Sequence, residues 1–178
     1  MIKLFADGAD KQGILDMYKN PRIDGFTTNP TLMRKAGITD YVNFAKEILD
    51  EISDKPVSFE VFADEYEEME QQALKISKWG ENVYVKIPVM NTKKIPSYEL
   101  IRHLSLKGVK INITAIMTLE QIRLVSESVI GGPSCFVSVF AGRIADTGVD
   151  PVPLMRQALK NSKLHLMLSY FGPAQERF

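Results

Sequence analysis

Short apolar runs alternate with stretches of helical periodicity along the whole chain. The apolar runs predict strands at residues 2–6, 25–27, 57–61, 83–89, 110–114, 136–140 and 164–168. Helical spacing of apolar residues predicts helices at 10–19, 31–35, 41–52, 65–79, 97–107 and 119–129, and a last one from Pro151 or Pro153 to Lys160. Such alternation is typical of βα units on a parallel sheet.

The repeated βα unit predicts an α/β fold of the (β/α)8 TIM-barrel type. A complete barrel needs at least about 200 residues, whereas this chain has 178. We therefore expect an incomplete barrel with about six βα units plus the start of a seventh. We expect residues 1–178 to form a single barrel domain, with residues 169–178 as an aberrant tail that shows neither strand alternation nor helical spacing.

Composition narrows the possible partners. The 22 basic and 22 acidic residues balance, so no net field draws the chain to nucleic acid or to an anionic membrane. No apolar stretch is long enough to span a bilayer, and the single Cys135 excludes an intrachain disulfide. We expect a cytoplasmic protein without nucleic-acid or membrane partners.

The chain has no glycine-rich nucleotide loop, and His103 and His165 lack metal-ligand spacing, so neither cofactor nor metal is predicted.

Lys86 is the most informative single residue. It lies inside the run VYVKIPV at 83–89, which reads as a strand covered on both faces. Desolvation disfavours the charged ammonium, and the neutral amine is a nucleophile. The structural alternative is a lysine whose long side chain reaches solvent at the strand end.

Further polar residues follow the other predicted strands. In a parallel barrel, the carboxyl ends of the strands carry the active site. The residues at these ends are Asp7, Asn29, Glu60, Lys86, Asn112, Thr114, Ser138 and Arg143. Together they form a set able to form a Schiff base and to transfer protons around it.

Taken singly, these residues have structural explanations. Asp7 could cap the following helix, and Glu60 could be a solvated face residue. Asn112 and Thr114 could satisfy neighbouring backbone groups, and Arg143 could pair with Asp146 on the surface. Their joint position at the ends of successive strands favours the functional interpretation.

The motifs at these positions resemble the transaldolase family, especially the short-chain branch that includes the fructose-6-phosphate aldolases. The matching pieces are Asp7 and the segments TTNP (27–30), VSFEV (57–61), VYVKIP (83–88), NIT (112–114) and SVFAGRI (138–144). In order and spacing they cover nearly all of residues 2–146.

The resemblance implies a metal-free class I aldol mechanism without a cofactor. Lys86 would form the Schiff base, Asp7 would accept the substrate proton, and Glu60 with Thr114 would hold the water that shuttles protons. The substrate-binding residues implied by the resemblance are Asn29, Thr28, Asn112, Ser138, Phe140 and Arg143, of which Arg143 would bind the phosphate. The expected substrates are sugar phosphates.

The resemblance leaves three functional interpretations open. The first is a transferase that moves a dihydroxyacetone unit between sugar phosphates, as in the non-oxidative pentose phosphate pathway. The second is a fructose-6-phosphate aldolase that releases dihydroxyacetone. Such relatives usually carry glutamine where this chain has Glu60, which favours transaldolase. The third is a truncated, inactive relative that retains weak sugar-phosphate binding.

The tail departs from the family pattern. The family carries a tryptophan-alanine-serine-x-arginine type of segment on strand seven, which is missing from residues 169–178. Residues 171–177 can be back-translated into codons whose neighbouring frame spells Trp-Ala-Ser-Pro-Arg-Glu. We hypothesise a shifted reading frame, which the coding DNA tests directly. The family suggests a homo-oligomer, and the tail leaves assembly open for this chain.

Overall fold

The structure of the chain, a computed structural model, describes residues 4–8, 10–28, 30–161 and 165–169. Its strands are β1 (Leu4–Gly8), β2 (Ile23–Thr28), β3 (Val57–Glu60), β4 (Val83–Pro88), β5 (Ile111–Ile116), β6 (Phe136–Phe140) and β7 (His165–Ser169). Its helices are α1 (Lys11–Tyr18), α2 (Pro30–Lys35), α3 (Tyr41–Glu51), α4 (Tyr66–Ile76), α5 (Tyr98–Leu106), α6 (Leu119–Ser128), α7 (Ala141–Asp146) and α8 (Pro151–Asn161).

Backbone contacts divide the chain into two compact units. The first consists of the residues up to Ala63 together with Glu67–Lys86, and the second of Asp64–Tyr66 together with the residues from Ile87 onward. In the first unit the strands lie in the order β1-β2-β3-β4, and in the second in the order β5-β6-β7. The paired strands are parallel.

Strands in chain order with intervening helices form an α/β architecture of the TIM-barrel type. In the described residues, six strands are each followed by helix and a seventh strand begins the next unit, so the barrel is incomplete as predicted. The prediction of one domain over residues 1–178 stays a prediction. Of the predicted tail at 169–178, residues 170–178 lie outside the described residues.

Each unit has its own apolar core. In the first unit, Phe26 of β2 and Phe59 of β3 are fully buried, as is Ile48 of α3. In the second, Ile101 of α5 and Ile113 of β5 are fully buried. Burial of apolar side chains on both strands and helices is the main stabilising contribution in this layered arrangement.

Close packing of β1 against β2 requires a glycine. Gly25 pairs with Phe5 in the β1–β2 register. A Cβ atom at Gly25 would lie 2.3 Å from Cε1 of Phe5 and 2.8 Å from Cγ of Pro56. A side chain at this position would therefore force the Phe5 ring and Pro56 to shift, next to the pair of strands that carries Asp7, Thr27 and Thr28.

Several boundaries differ from those predicted. β1 extends to Gly8, so Asp7 lies within the strand, and β2 includes Thr28. β5 continues to Ile116. The sequence pattern did not predict α7, because this short helix follows β6 directly without a turn signal, and it contains Arg143. Among the helices of the described residues, none has the length and apolar character needed to cross a bilayer.

Candidate active site

Lys86 lies near the end of β4 with its side chain inside the fold. The residue is 6% exposed, and its Nζ donates a hydrogen bond of 2.8 Å to the carbonyl oxygen of Thr28. The flanking Val85 and Ile87 are fully buried as well. The side chain therefore does not reach solvent at the strand end, which was the structural alternative.

Glu60 provides the negative charge beside this lysine. The two residues are partners in the β3–β4 register, and Oε2 of Glu60 lies 3.4 Å from Nζ of Lys86. The Glu60 side chain is 27% exposed, so the pair is largely but not fully withdrawn from water. A buried ammonium without a counter-charge is strongly unfavourable, and the Glu60 carboxylate supplies that counter-charge.

Asp7 lies on the first strand of the same unit. It is the register partner of Thr27, whose hydroxyl donates a 2.9 Å hydrogen bond to Oδ1 of Asp7. Thr27 is buried, whereas Asp7 is exposed and lines a cavity of about 490 Å³. Asp10, not Asp7, caps α1, because its carboxylate accepts a hydrogen bond from the backbone N–H of Gly13. The alternative explanation of Asp7 as the cap of this helix is therefore wrong.

Thr28 and Tyr41 complete the group around Lys86. The Thr28 hydroxyl donates to the carbonyl of Ser58 at 3.1 Å and lies 3.5 Å from the Tyr41 hydroxyl. The Tyr41 hydroxyl accepts a 2.8 Å hydrogen bond from the backbone N–H of Glu60 and lies 3.3 Å from the Glu60 carbonyl oxygen. Burial raises the pKa of Tyr41 to about 12, so the hydroxyl remains protonated near neutral pH.

A second group of predicted site residues lies in the second unit. Asn112, Thr114 and Ser138 are all buried, at 1%, 4% and 1% exposure. The hydroxyl of Ser138 on β6 donates a 2.7 Å hydrogen bond to Oδ1 of Asn112 on β5. The carbonyl oxygen of Thr114 accepts a hydrogen bond from the backbone N–H of Val89 at 3.0 Å. Three buried polar side chains on one pair of strands are unusual, because the side chains buried in a protein core are mostly apolar.

A backbone irregularity follows Thr114. The β5–β6 register shifts between Ile113 and Ile116, and Ala115 has a φ of +62°. This left-handed conformation is uncommon for a residue with a Cβ atom. Because the bulge adds one residue to β5, Ile113 and Ile116 both pair with buried valines of β6, while Thr114 remains among the buried polar residues.

The remaining predicted residues differ in their placement. Phe140 ends β6 half-buried, and Arg143 is exposed on α7. Asn29 lies outside the described residues. Sequence reasoning missed Tyr41, which was treated only as the start of a helix. Helical side chains point back toward the N-terminus of their helix. The aromatic residue at the start of α3, the helix that leads into β3, is therefore the signal that could have found Tyr41.

Comparison with known proteins identifies the family. The sequence model described as "Transaldolase/Fructose-6-phosphate aldolase" matches residues 4–169 of this chain. The chain belongs to this family. It is 36% identical over 154 residues to a "Probable transaldolase" of Dehalococcoides mccartyi, an alignment that covers 86% of this chain and 68% of the relative. The resemblance predicted from the strand-end motifs is thereby confirmed.

Two further relatives carry the same name and match a similar share of this chain. A "Probable transaldolase" of Brucella anthropi is 35% identical over 156 residues, which cover 88% of this chain and 67% of the relative. One of Streptococcus equi subsp. zooepidemicus is 36% identical over 154 residues, with coverage of 86% and 67%. Membership in the transaldolase/fructose-6-phosphate aldolase family identifies the chain as an aldolase-type enzyme whose family acts on sugar phosphates.

Proposed function

We propose that this chain catalyses a class I aldol transfer in which a dihydroxyacetone unit moves from one sugar phosphate to another. The observation that carries the proposal is the environment of Lys86. Its Nζ is buried between a backbone carbonyl and the carboxylate of Glu60. A strand lysine withdrawn from water beside a proton acceptor is suited to Schiff-base chemistry.

In the first step, the neutral amine of Lys86 attacks the ketone carbon of the donor. The Glu60 carboxylate, 3.4 Å from Nζ, is within reach to accept the proton that Lys86 must lose. The carbinolamine then loses its hydroxyl as water, and an iminium ion remains on Lys86. We assign to Glu60 and Thr114 the task of holding that water during formation and hydrolysis of the iminium.

In the second step, Asp7 acts as the base. It removes the proton of the donor hydroxyl that lies beyond the breaking carbon–carbon bond, and this hydroxyl becomes the aldehyde of the leaving aldose phosphate. The electron pair of the broken bond moves into the iminium and leaves an enamine on Lys86. The exposed carboxylate and adjacent cavity support this role because Asp7 can meet a substrate there.

The transfer is completed when the enamine attacks an acceptor aldehyde. Asp7 returns its proton to the new alkoxide, and water then hydrolyses the iminium to release the product ketose phosphate. We assign the hydroxyl groups of the three-carbon unit to Asn29, Asn112, Thr28 and Ser138, with Phe140 as an apolar wall. Arg143, exposed and cationic, would bind the phosphate.

A fructose-6-phosphate aldolase is the second candidate function, because the matching family includes both reactions. In that reaction a proton, not an acceptor aldehyde, would quench the enamine, and free dihydroxyacetone would be released. Glu60 favours transfer over release. We further propose a cytoplasmic location and a role in the non-oxidative pentose phosphate pathway or a related sugar route.

Borohydride trapping tests the proposal. The protein is incubated with fructose 6-phosphate and sodium borohydride, digested, and mapped by mass spectrometry. We expect a reduced three-carbon adduct on Lys86 and its loss in Lys86→Met. Lys11→Met is the matched control, since Lys11 also pairs with a glutamate, at 3.1 Å, but its side chain is 41% exposed.

The outcomes separate the candidates. An adduct on Lys86 supports aldol chemistry, and turnover that requires erythrose 4-phosphate as acceptor then favours the transferase over the aldolase. If folded protein forms no adduct, the chain is an inactive relative and the proposal fails. An adduct on another lysine, retained in Lys86→Met, would also overturn it.

A further inference from the structure

Tyr41 connects two residues that contact the Lys86 ammonium group. Thr28 contributes the carbonyl oxygen that accepts from Nζ, and Glu60 contributes the carboxylate beside it. The Tyr41 hydroxyl lies 3.5 Å from the Thr28 hydroxyl and bonds the backbone N–H of Glu60 at 2.8 Å. One phenol oxygen thus links β2 and β3 at the positions that hold the lysine.

We propose that Tyr41 is a positioning residue that sets the placement of Glu60 relative to Lys86 during Schiff-base formation. The inference rests on the proposed function and extends it to a residue outside the strands. Tyr41 acts through the Glu60 backbone, and no contact of its own with Lys86 is required.

The hydrogen-bond directions determine what the Tyr41 hydroxyl does. The Thr28 hydroxyl donates its proton to the Ser58 carbonyl, which leaves its oxygen as an acceptor. Tyr41 accepts from the Glu60 N–H and can donate its single proton to the Glu60 carbonyl at 3.3 Å or to the Thr28 hydroxyl oxygen at 3.5 Å. Glu60 is the last residue of β3, so this bond holds the backbone where the strand ends.

The ring of Tyr41 packs against three other aromatic rings. It makes edge contacts with Phe59, Phe62 and Trp79, at centroid distances of 6.0, 4.7 and 5.7 Å. We refer to Tyr41, Phe59, Phe62 and Trp79 as the aromatic cluster. Such edge-to-face pairs fix the orientation of each ring. The Phe59 ring also lies 5.5 Å from Trp79, so the residue that precedes Glu60 in β3 belongs to the same cluster.

The N-terminal cap of α3 also constrains Tyr41. Asp40 caps this helix, and its carboxylate accepts a 3.0 Å hydrogen bond from the backbone N–H of Asn43. Tyr41 is therefore the first residue of a capped helix, where the backbone has little freedom. A rigid helix start, an oriented ring and a bonded hydroxyl together leave the end of β3 little room to move.

The substitution Tyr41→Phe removes only the hydroxyl and keeps the ring. We expect kcat for transfer and the rate of borohydride trapping on Lys86 each to fall by about tenfold, with KM changed by less than about twofold, because transition-state geometry and not substrate affinity is affected. The matched control is Tyr18→Phe, whose hydroxyl bonds Asp54 at 2.7 Å and does not contact the Lys86 group. Tyr18→Phe should leave both rates unchanged.

Folding is monitored independently with Trp79, the only tryptophan of the chain and a member of the aromatic cluster. If the variant is partly unfolded, sucrose restores the folded state and rates are divided by the folded fraction. Folded Tyr41→Phe with wild-type kcat and trapping rate would overturn the positioning role, as would a change in KM alone. If the wild-type protein itself forms no adduct on Lys86, the proposed function fails before Tyr41 is tested.

Discussion

The charge of Lys86 is balanced inside the fold by a carboxylate and a carbonyl, not by bulk water. The Nζ–Oε2 distance of 3.4 Å and the partial exposure of Glu60 place the pair between a surface salt bridge and a fully buried one. The same geometry serves proton transfer, because the acceptor lies beside the amine that must lose its proton.

Glu60→Gln tests this double role. The amide keeps the shape but removes the charge and the proton acceptor, so we expect kcat to fall by about 10²-fold. Stability should fall by about 1–3 kcal/mol, between the values for a surface and a fully buried ion pair. Steady-state kinetics and urea denaturation measure the two effects.

Glu47→Gln is the matched control for Glu60→Gln. It removes the same charge from an ion pair whose side chains are 41% and 44% exposed, and it should change kcat little. Equal rates in the Glu60→Gln variant and the wild type would contradict the proton-transfer role of Glu60.

At the scale of elements, a side-chain cap fixes the start of the helix that follows β5. The helix α6, which connects β5 to β6, begins with a capping box in which Thr118 accepts from the backbone N–H of Gln121 and the Gln121 side chain accepts from the backbone N–H of Thr118. This reciprocal pair satisfies backbone donors that the first helical turn leaves without partners.

Thr118→Ala should destabilise the protein by about 1 kcal/mol, because it removes the side-chain oxygen of the cap. Urea denaturation at neutral pH measures the change. Thr118→Ser keeps the hydroxyl and should retain most of the stability, so equal losses in both variants would show that the cap is not the cause.

At the scale of the whole molecule, two buried groups link stability to alkaline pH. Burial raises the pKa of the Cys135 thiol from 9.0 to about 11, and that of the Tyr41 phenol from 10.0 to about 12. The folded chain holds these protons more tightly than the unfolded chain. Their contribution is therefore complete below pH 9 for Cys135 and below pH 10 for Tyr41, and is lost as the pH rises through the folded values.

We expect the free energy of unfolding to fall between about pH 9 and pH 12, with Tyr41 accounting for a loss on the order of 2 kcal/mol. Urea midpoints across this range measure it. Tyr41→Phe and Cys135→Ala should each flatten the curve within their own window. Curves parallel to that of the wild type in both variants would refute this linkage.

The amino-acid sequence by itself determined the alternation of strands and helices, the barrel type and the strand-end residues, because these depend on local periodicity and on the shared edge of parallel strands. It identified Lys86 because an ammonium is costly in an apolar strand, and Glu60 because parallel strands rarely have a solvated face. Ser138 and Asn112 were both predicted as site residues, although the sequence could not reveal that they bond to each other.

Only the tertiary structure decided which groups hold these residues. The backbone carbonyl of Thr28 accepts a hydrogen bond from Lys86. Every residue type has such a carbonyl, so the sequence could not show which one binds the lysine. The bond from Glu60 to Tyr41 joins residues nineteen positions apart and depends on how α3 returns to β3. Such contacts arise from packing between elements. The sequence pattern predicts only the type of each element and which of its faces is buried.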